Sequence, residues 1–267
     1  MLSTETTGHR YFIEFAFDGS RFHGWQVQPH SLSVQELMSR GLSLLTGHEV
    51  NPVGCGRTDT GVHASHFVAH FDLAEPCSDC NQLACRLNRY LPSDIRIDRI
   101  LEVDSGAHAR FSATSRTYYY VITRSKNPFM GKFAWNLHSP IDTDRMNAAV
   151  RFITGAHDFT SFSKLHSDVK TNVCEVYEAG WSERDEFHIF RIKADRFLRN
   201  MVRALVGTFT EIGKGKLEPE EMEWILNRFD RSEAGMSVPA CGLYLARVEY
   251  PEDVFMIDPK PPFLDLF

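Results

Sequence analysis

The run VYEAGWSERDEFHIFRIKAD, residues 176–195, constrains the fold more than any other stretch. Two segments rich in aromatic and β-branched residues flank the charged tetrapeptide ERDE, which reads as a hairpin with its turn at 183–186. A chain that commits this length to an antiparallel ribbon is not all-helical, and the regular strand–helix alternation of a doubly wound parallel sheet is missing. Other strand-like segments are YFIEFAF, FVAHFDL, DIRIDRILEV, ARFSATSRTYYYVITR and GLYLARVEY. Between them lie helical patterns. SVQELMSRGLSLLTG opens with Ser33 and has Glu36 three residues on, a capping box, and Gly47 stops it. CNQLACRLNRYL ends at Pro92, and DTDRMNAAVRFITG carries Asp142 or Asp144 at its cap. RFLRNMVRALVGTFTEIGKG reads as a helix from Arg196 onward, and EPEEMEWILNRF as another with acids in its first turn.

The expected class is α+β: two similar halves, each a largely antiparallel sheet flanked by helices, with an active-site cleft between them. The predicted division is 1–105 for the first half, 106–250 for the second and 251–267 for an extended, proline-rich tail. No glycine-rich loop of dinucleotide or P-loop type is present.

The segment MLSTETTGHR lacks the apolar stretch of a secretory signal, and no apolar run approaches a membrane span, so a cytoplasmic protein is expected. Cys77, Cys80 and Cys85 have no fourth ligand at matching spacing. His63, His66 and His70 cannot converge from one strand without a bend and read as polar strand-face residues. No metal is expected at either cluster.

Three stretches carry candidate chemistry. In CGRTDTGVHASHFVAHFD, Arg57 and Asp59 sit between Gly56 and Gly61, directly ahead of a strand. Such a carboxylate either caps a turn or reacts. In SRTYYYVI, Arg116, Tyr118 and Tyr120 share one strand face, as sheet packing or as rings for base stacking beside a cation. On the helix read from Arg196, the residues Arg196, Arg199 and Arg203 fall within roughly 60° of one another, opposite the apolar face. Arginine forks suit phosphate and carboxylate. The loop GSRFHGWQVQ adds Arg21 and Trp25. A formal net charge of −6 points the other way, since nucleic-acid binders usually carry a basic excess.

GRTDTGVHA (56–64) resembles the signature of the tRNA pseudouridine synthase A family. DGSRFHGWQ, SVQELM, LNRYLPSDI, HARFSATSRTYYY, GAHDFTSF, FLRNMVRALVG and GLYLARVEYP resemble its other blocks, in the same order, from about Tyr11 to Pro251. The resemblance implies the pseudouridine synthase fold. It implies isomerisation of uridine to pseudouridine at positions 38, 39 and 40 of the tRNA anticodon stem-loop. It implies a homodimer with tRNA as partner and no cofactor or metal. By the same resemblance Asp59 is the catalytic nucleophile and Tyr118 the active-site tyrosine. Arg203 pairs with the aspartate, Leu243 touches the target base, and Arg57 contacts RNA or positions the loop. Phe67 stands where the family usually has glutamine, and a strand-core position would accept it.

The chemistry suits these residue types. The N1–C1′ bond must break, the base rotate and C5 join C1′, with no redox step. A carboxylate can act as the covalent nucleophile, at C1′ or at C6. The base must leave the stack, and a tyrosine ring can hold it. A catalytically inactive tRNA-binding relative is the alternative. An aspartate-dependent glycoside hydrolase is a third reading, but no second carboxylate stands out beside Asp59.

Overall fold

The computed structural model describes residues 8–164 and 171–256. The segment MLSTETT and most of the predicted tail, including Phe263 and Phe267, lie outside the described residues. The chain divides into two compact units: Met1–Thr114 with Arg247–Phe267, and Ser115–Ala246. Residues 106–114 and 247–250 thus group with the first unit, where the sequence division put them in the second half.

In the first unit the elements run β1 (His9–Phe17), α1 (Val34–Thr46), β2 (Val53–Gly54), β3 (His63–Leu73), α2 (Cys80–Tyr90) and β4 (Ile95–Val103). Every pairing is antiparallel, and the order is β4-β1-β3-β2. The Ser33 half of the capping box forms, its Oγ accepting from the Glu36 N–H at 3.3 Å while the Glu36 carboxylate pairs with Arg40 instead, and Gly47 closes α1 in the left-handed region at φ 78°. Phe12, Ile13, Phe15, Phe67 and Val68 are fully buried, and Phe67 packs on Trp25 with ring centroids 4.7 Å apart. Phe67 is therefore a core residue, as its strand position suggests.

The β1 strand also buries a carboxylate. Glu14, 2% exposed, accepts from Arg99 Nε at 2.8 Å and from its terminal Nη2 at 2.9 Å. His66 Nε2 stands 3.3 Å from it. The His66 Nδ1 atom accepts from the Val248 N–H at 3.1 Å, so Nε2 carries the ring proton and donates to Glu14.

In the second unit the elements run β5 (Ser115–Thr123), β6 (Trp135–Asn136), α3 (Thr143–Val150), β7 (Gly155–Asp158), β8 (Val173–Arg184), β9 (Phe187–Ala194), α4 (Met201–Gly213), α5 (Glu221–Leu226) and β10 (Leu243–Glu249), whose first four residues belong here. The order is β10-β5-β9-β8-β7, with the short β6 parallel on β5. The predicted hairpin is β8–β9, turning at Asp185 with φ 54°. Trp181 and Phe190 stack across it with centroids 4.9 Å apart, and Phe209 of α4 closes on Phe190 at 5.2 Å.

Both units therefore follow one plan: strand, helix, two strands, helix, strand. Each places its fourth strand beside the first, then the third, then the second. Here β1, β2, β3 and β4 correspond to β5, β8, β9 and β10. The class is α+β, built of two similar antiparallel halves.

Candidate active site

In the first unit, the stretch between β2 and β3 carries Arg57 and Asp59. The Cys55 N–H bonds the Val68 carbonyl at 2.8 Å, so the stretch leaves the sheet at a fixed point. It returns through a turn in which the Val62 N–H donates to the Asp59 carbonyl at 3.1 Å. Gly61, third in that turn, has φ 80°, the conformation that favours glycine there. The second glycine of the motif thus serves the turn. Asp59 occupies its first position, half-buried, and Arg57 is exposed. A Cβ at Gly56 would meet nothing within 4 Å, so the space there is open.

A second loop clamps this turn. The Trp25 N–H donates to Thr58 Oγ1 at 3.0 Å, and the Gly61 N–H donates to the Phe22 carbonyl at 3.3 Å. Gly24 has φ 82°, and a Cβ there would lie 2.1 Å from the Thr58 carbonyl oxygen. A Cβ at Gly19 would lie 2.0 Å from that of Val62. Only glycine permits either approach. The Gly19 N–H also donates to His63 Nδ1 at 3.1 Å. The sequence reading missed Thr58 and the two glycines as supports of Asp59. The paired glycines of GSRFHG were their only outward sign.

The three histidines of β3 are buried, not on a polar face. Each accepts a backbone N–H: His63 from Gly19, His66 from Val248 and His70 from Ala109 at 3.2 Å. Burial, then the neighbouring His108 and Arg10, pushes His70 down to about 4, so it is neutral at physiological pH.

In the second unit, Tyr118 is half-buried on β5, its ring edge-on to Phe197 with centroids 4.9 Å apart. Tyr120 is fully buried and donates its hydroxyl to the Pro239 carbonyl at 2.7 Å. Arg116 donates to the Asp195 carbonyl at 2.8 Å. Arg203, half-buried in the first turn of α4, donates Nε–H to the Val238 carbonyl at 2.7 Å. Leu243 is buried at the start of β10. Val238 was not foreseeable, because a carbonyl partner leaves no residue signature.

The arginine stripe is corrected by the structure. α4 begins at Met201; Asn200 before it lies in the left-handed region at φ 69°. Asn tolerates that region, and one such residue breaks helical continuity. Arg196 and Arg199 precede the helix, so the three arginines do not line one helical face. The Arg196 N–H is held by the Asp195 carboxylate at 2.6 Å, and its guanidinium donates to the Thr171 carbonyl at 3.0 Å.

Residues 148–251 match a family described as tRNA pseudouridine synthase. The chain is similar to proteins named tRNA pseudouridine synthase A. It is 47% identical to that of Bacteroides fragilis, covering 92% of this chain and 98% of the relative. It is 48% identical to that of Bacteroides thetaiotaomicron, covering 96% of each. A Thermoanaerobacter relative is 36% identical, with 89% of this chain and 98% of the relative covered.

Proposed function

The chain belongs to the tRNA pseudouridine synthase A family, and from that premise we propose that it isomerises uridine to pseudouridine in the anticodon stem-loop of tRNA. The observation that carries the proposal is near-half identity to relatives of that name, maintained over almost their entire length. We propose positions 38, 39 and 40 as the target uridines.

In this reading Asp59 is the nucleophile. Its turn is held by Gly61 and by the 19–25 segment, so the carboxylate is placed before substrate arrives, as covalent catalysis requires. Attack at C1′ or at C6 frees the base to rotate, and C5 then joins C1′. The N1–C1′ bond breaks and the aspartate is released again, N1 takes up a proton and C5 gives one up, so atoms and electrons balance without any external reagent. Tyr118 offers a ring face for the extruded base, with its hydroxyl available in the proton transfer. Leu243 supplies apolar contact. Arg203 is the cation that the family resemblance pairs with the aspartate, and Arg57, exposed beside it in sequence, takes RNA phosphate. The Phe197 ring packed on Tyr118 and the Val238 carbonyl on Arg203 orient two of these groups.

The enzyme is proposed to act as a homodimer in the cytoplasm, with neither metal nor cofactor. Among the described residues no helix is long and apolar enough to cross a membrane.

Tritium release from C5-labelled uridine in tRNA tests the activity. The wild-type chain should release label, and Asp59→Asn should lose turnover by at least about a thousandfold while binding tRNA with unchanged affinity. Binding by the wild type without any release would favour the inactive relative. A product heavier by one water would favour hydrolysis.

A further inference from the structure

None of the six cysteines is in a disulfide, and their surroundings differ. Cys55 and Cys174 are buried, and Cys85 is exposed on α2. Cys77 and Cys80 are half-buried and stand in the arrangement Cys77-Ser78-Asp79-Cys80, at the start of α2. Asp79 is the helix N-cap, accepting the Gln82 N–H at 2.8 Å, and Cys80 is the first helical residue. Cys77 lies just upstream. Its N–H is pinned to the Tyr11 hydroxyl at 2.9 Å, which ties this loop to β1. Cys77 is near enough to Cys80 to raise its thiol. Cys77 also lines a cavity of about 210 Å³ that reaches His48, Glu75 and Arg86.

These features form a unit. The two thiols lie three residues apart across the start of a helix, a spacing from which a disulfide can close. The cavity gives a small reagent access to Cys77. No cluster of three or more metal-ligating side chains exists among the described residues, so the pair is not half of a larger ligand set there.

We propose that Cys77 and Cys80 form a redox pair that closes reversibly to a disulfide by exchange with a small-molecule disulfide of the glutathione class. The Cys77 thiolate attacks one sulfur of that disulfide. A Cys77 mixed disulfide forms and the first small thiol leaves. Cys80 then attacks the Cys77 sulfur, giving up its proton, and the second small thiol departs. Two electrons and two protons pass from the protein dithiol to the small disulfide, which becomes two thiols. The order follows from position. Cys77 faces the cavity. Burial, then the neighbouring Cys77 thiol, pushes the Cys80 thiol up to about 12, so it keeps its proton until the second step. Arg86 and His48 offer donors to the carboxylates of a peptide-like thiol entering the cavity.

The full-length protein equilibrated in oxidised and reduced glutathione, acid-quenched, alkylated and mapped by mass spectrometry tests this. The peptide holding Cys77 and Cys80 should lose both alkylation sites and the mass of two hydrogen atoms, with dithiothreitol restoring them. Cys80→Ser should stop at a glutathione adduct on Cys77. Cys77→Ser should leave Cys80 alkylatable at oxidant levels that close the wild-type pair. The proposal is overturned if both cysteines stay alkylatable while Cys85 takes up glutathione. It is equally overturned if Cys80→Ser gives no adduct on Cys77, or if the wild-type protein retains stoichiometric zinc that blocks exchange at the pair. The readout is independent of isomerase activity.

Discussion

Trp25 donates its backbone N–H to the Thr58 hydroxyl, and that bond joins the 19–25 loop to the turn that opens at Asp59. Valine at position 58 keeps the shape but removes the acceptor. The Trp25 N–H is then left unsatisfied and the loops separate. Thr58→Val should lower kcat about 10- to 100-fold, as expected for loosened positioning of a reacting group. Thermal midpoint and tRNA Kd should change little. Unaltered kcat in single-turnover assays would mean that the turn is held well enough by Gly61 and Gly24 alone.

Arg203 should matter for rate rather than for RNA affinity. Arg203→Met should reduce single-turnover kcat by at least about a hundredfold, with tRNA Kd within a few-fold. Arg203→Lys keeps the charge but loses the planar fork and its Nε bond to Val238, so it should fall between the two. A variant that loses affinity in proportion, at full kcat, would reassign the arginine to phosphate binding.

The buried Glu14 links the first unit to pH. Burial alone would raise its carboxyl, but hydrogen bonds from His66 and Arg99 outweigh it and hold the group below the ordinary carboxylate range. A carboxyl held low in the fold contributes stability that is fully present above its unfolded value and is lost as pH falls through the folded one. Arg99→Met leaves that buried charge poorly compensated. It should cost about 3–5 kcal/mol at pH 7 in urea unfolding and move the acid-unfolding midpoint to higher pH. A loss below about 1 kcal/mol would show that His66 alone suffices.

Despite the net charge of −6, tRNA affinity should fall steeply with salt, because local arginines displace counterions from the phosphates. Arg57→Ala should weaken binding of all tRNAs alike and reduce the slope of log K against log salt by about one. Filter binding from low to moderate salt decides it. An unchanged slope would place Arg57 in loop positioning.

Local chemistry was legible in the chain, and non-local chemistry was not. Ser33, Glu36 and Gly47 announce both ends of α1 because capping acts over three or four residues. The β8–β9 hairpin is similarly self-contained. The helix read from Arg196 started too early because apolar periodicity runs straight through Asn200, whose left-handed backbone has no signature in that periodicity. Asp59 was visible as an odd carboxylate between glycines. Its clamp was not, because Gly19 and Gly24 act by what they lack, against carbonyls that any residue would supply. Glu14, inside the strand-like YFIEFAF, is a buried ionic centre because Arg99 sits opposite it in the β1–β4 register.

The shared plan of the two units bears on where a reaction can arise. In the second unit the join between the second and third core strands, β8 and β9, is the tight turn at Asp185 and Glu186. In the first unit the same join is the stretch 55–62, which carries Asp59. If one copy of an ancestral repeat was doubled, the proposed nucleophile lies on a join of eight residues where the other copy has two, and the strands around it kept their order. Lengthening such a connection adds little entropic cost to folding. A doubled scaffold therefore leaves one join free to be remade for chemistry while its counterpart stays a plain turn.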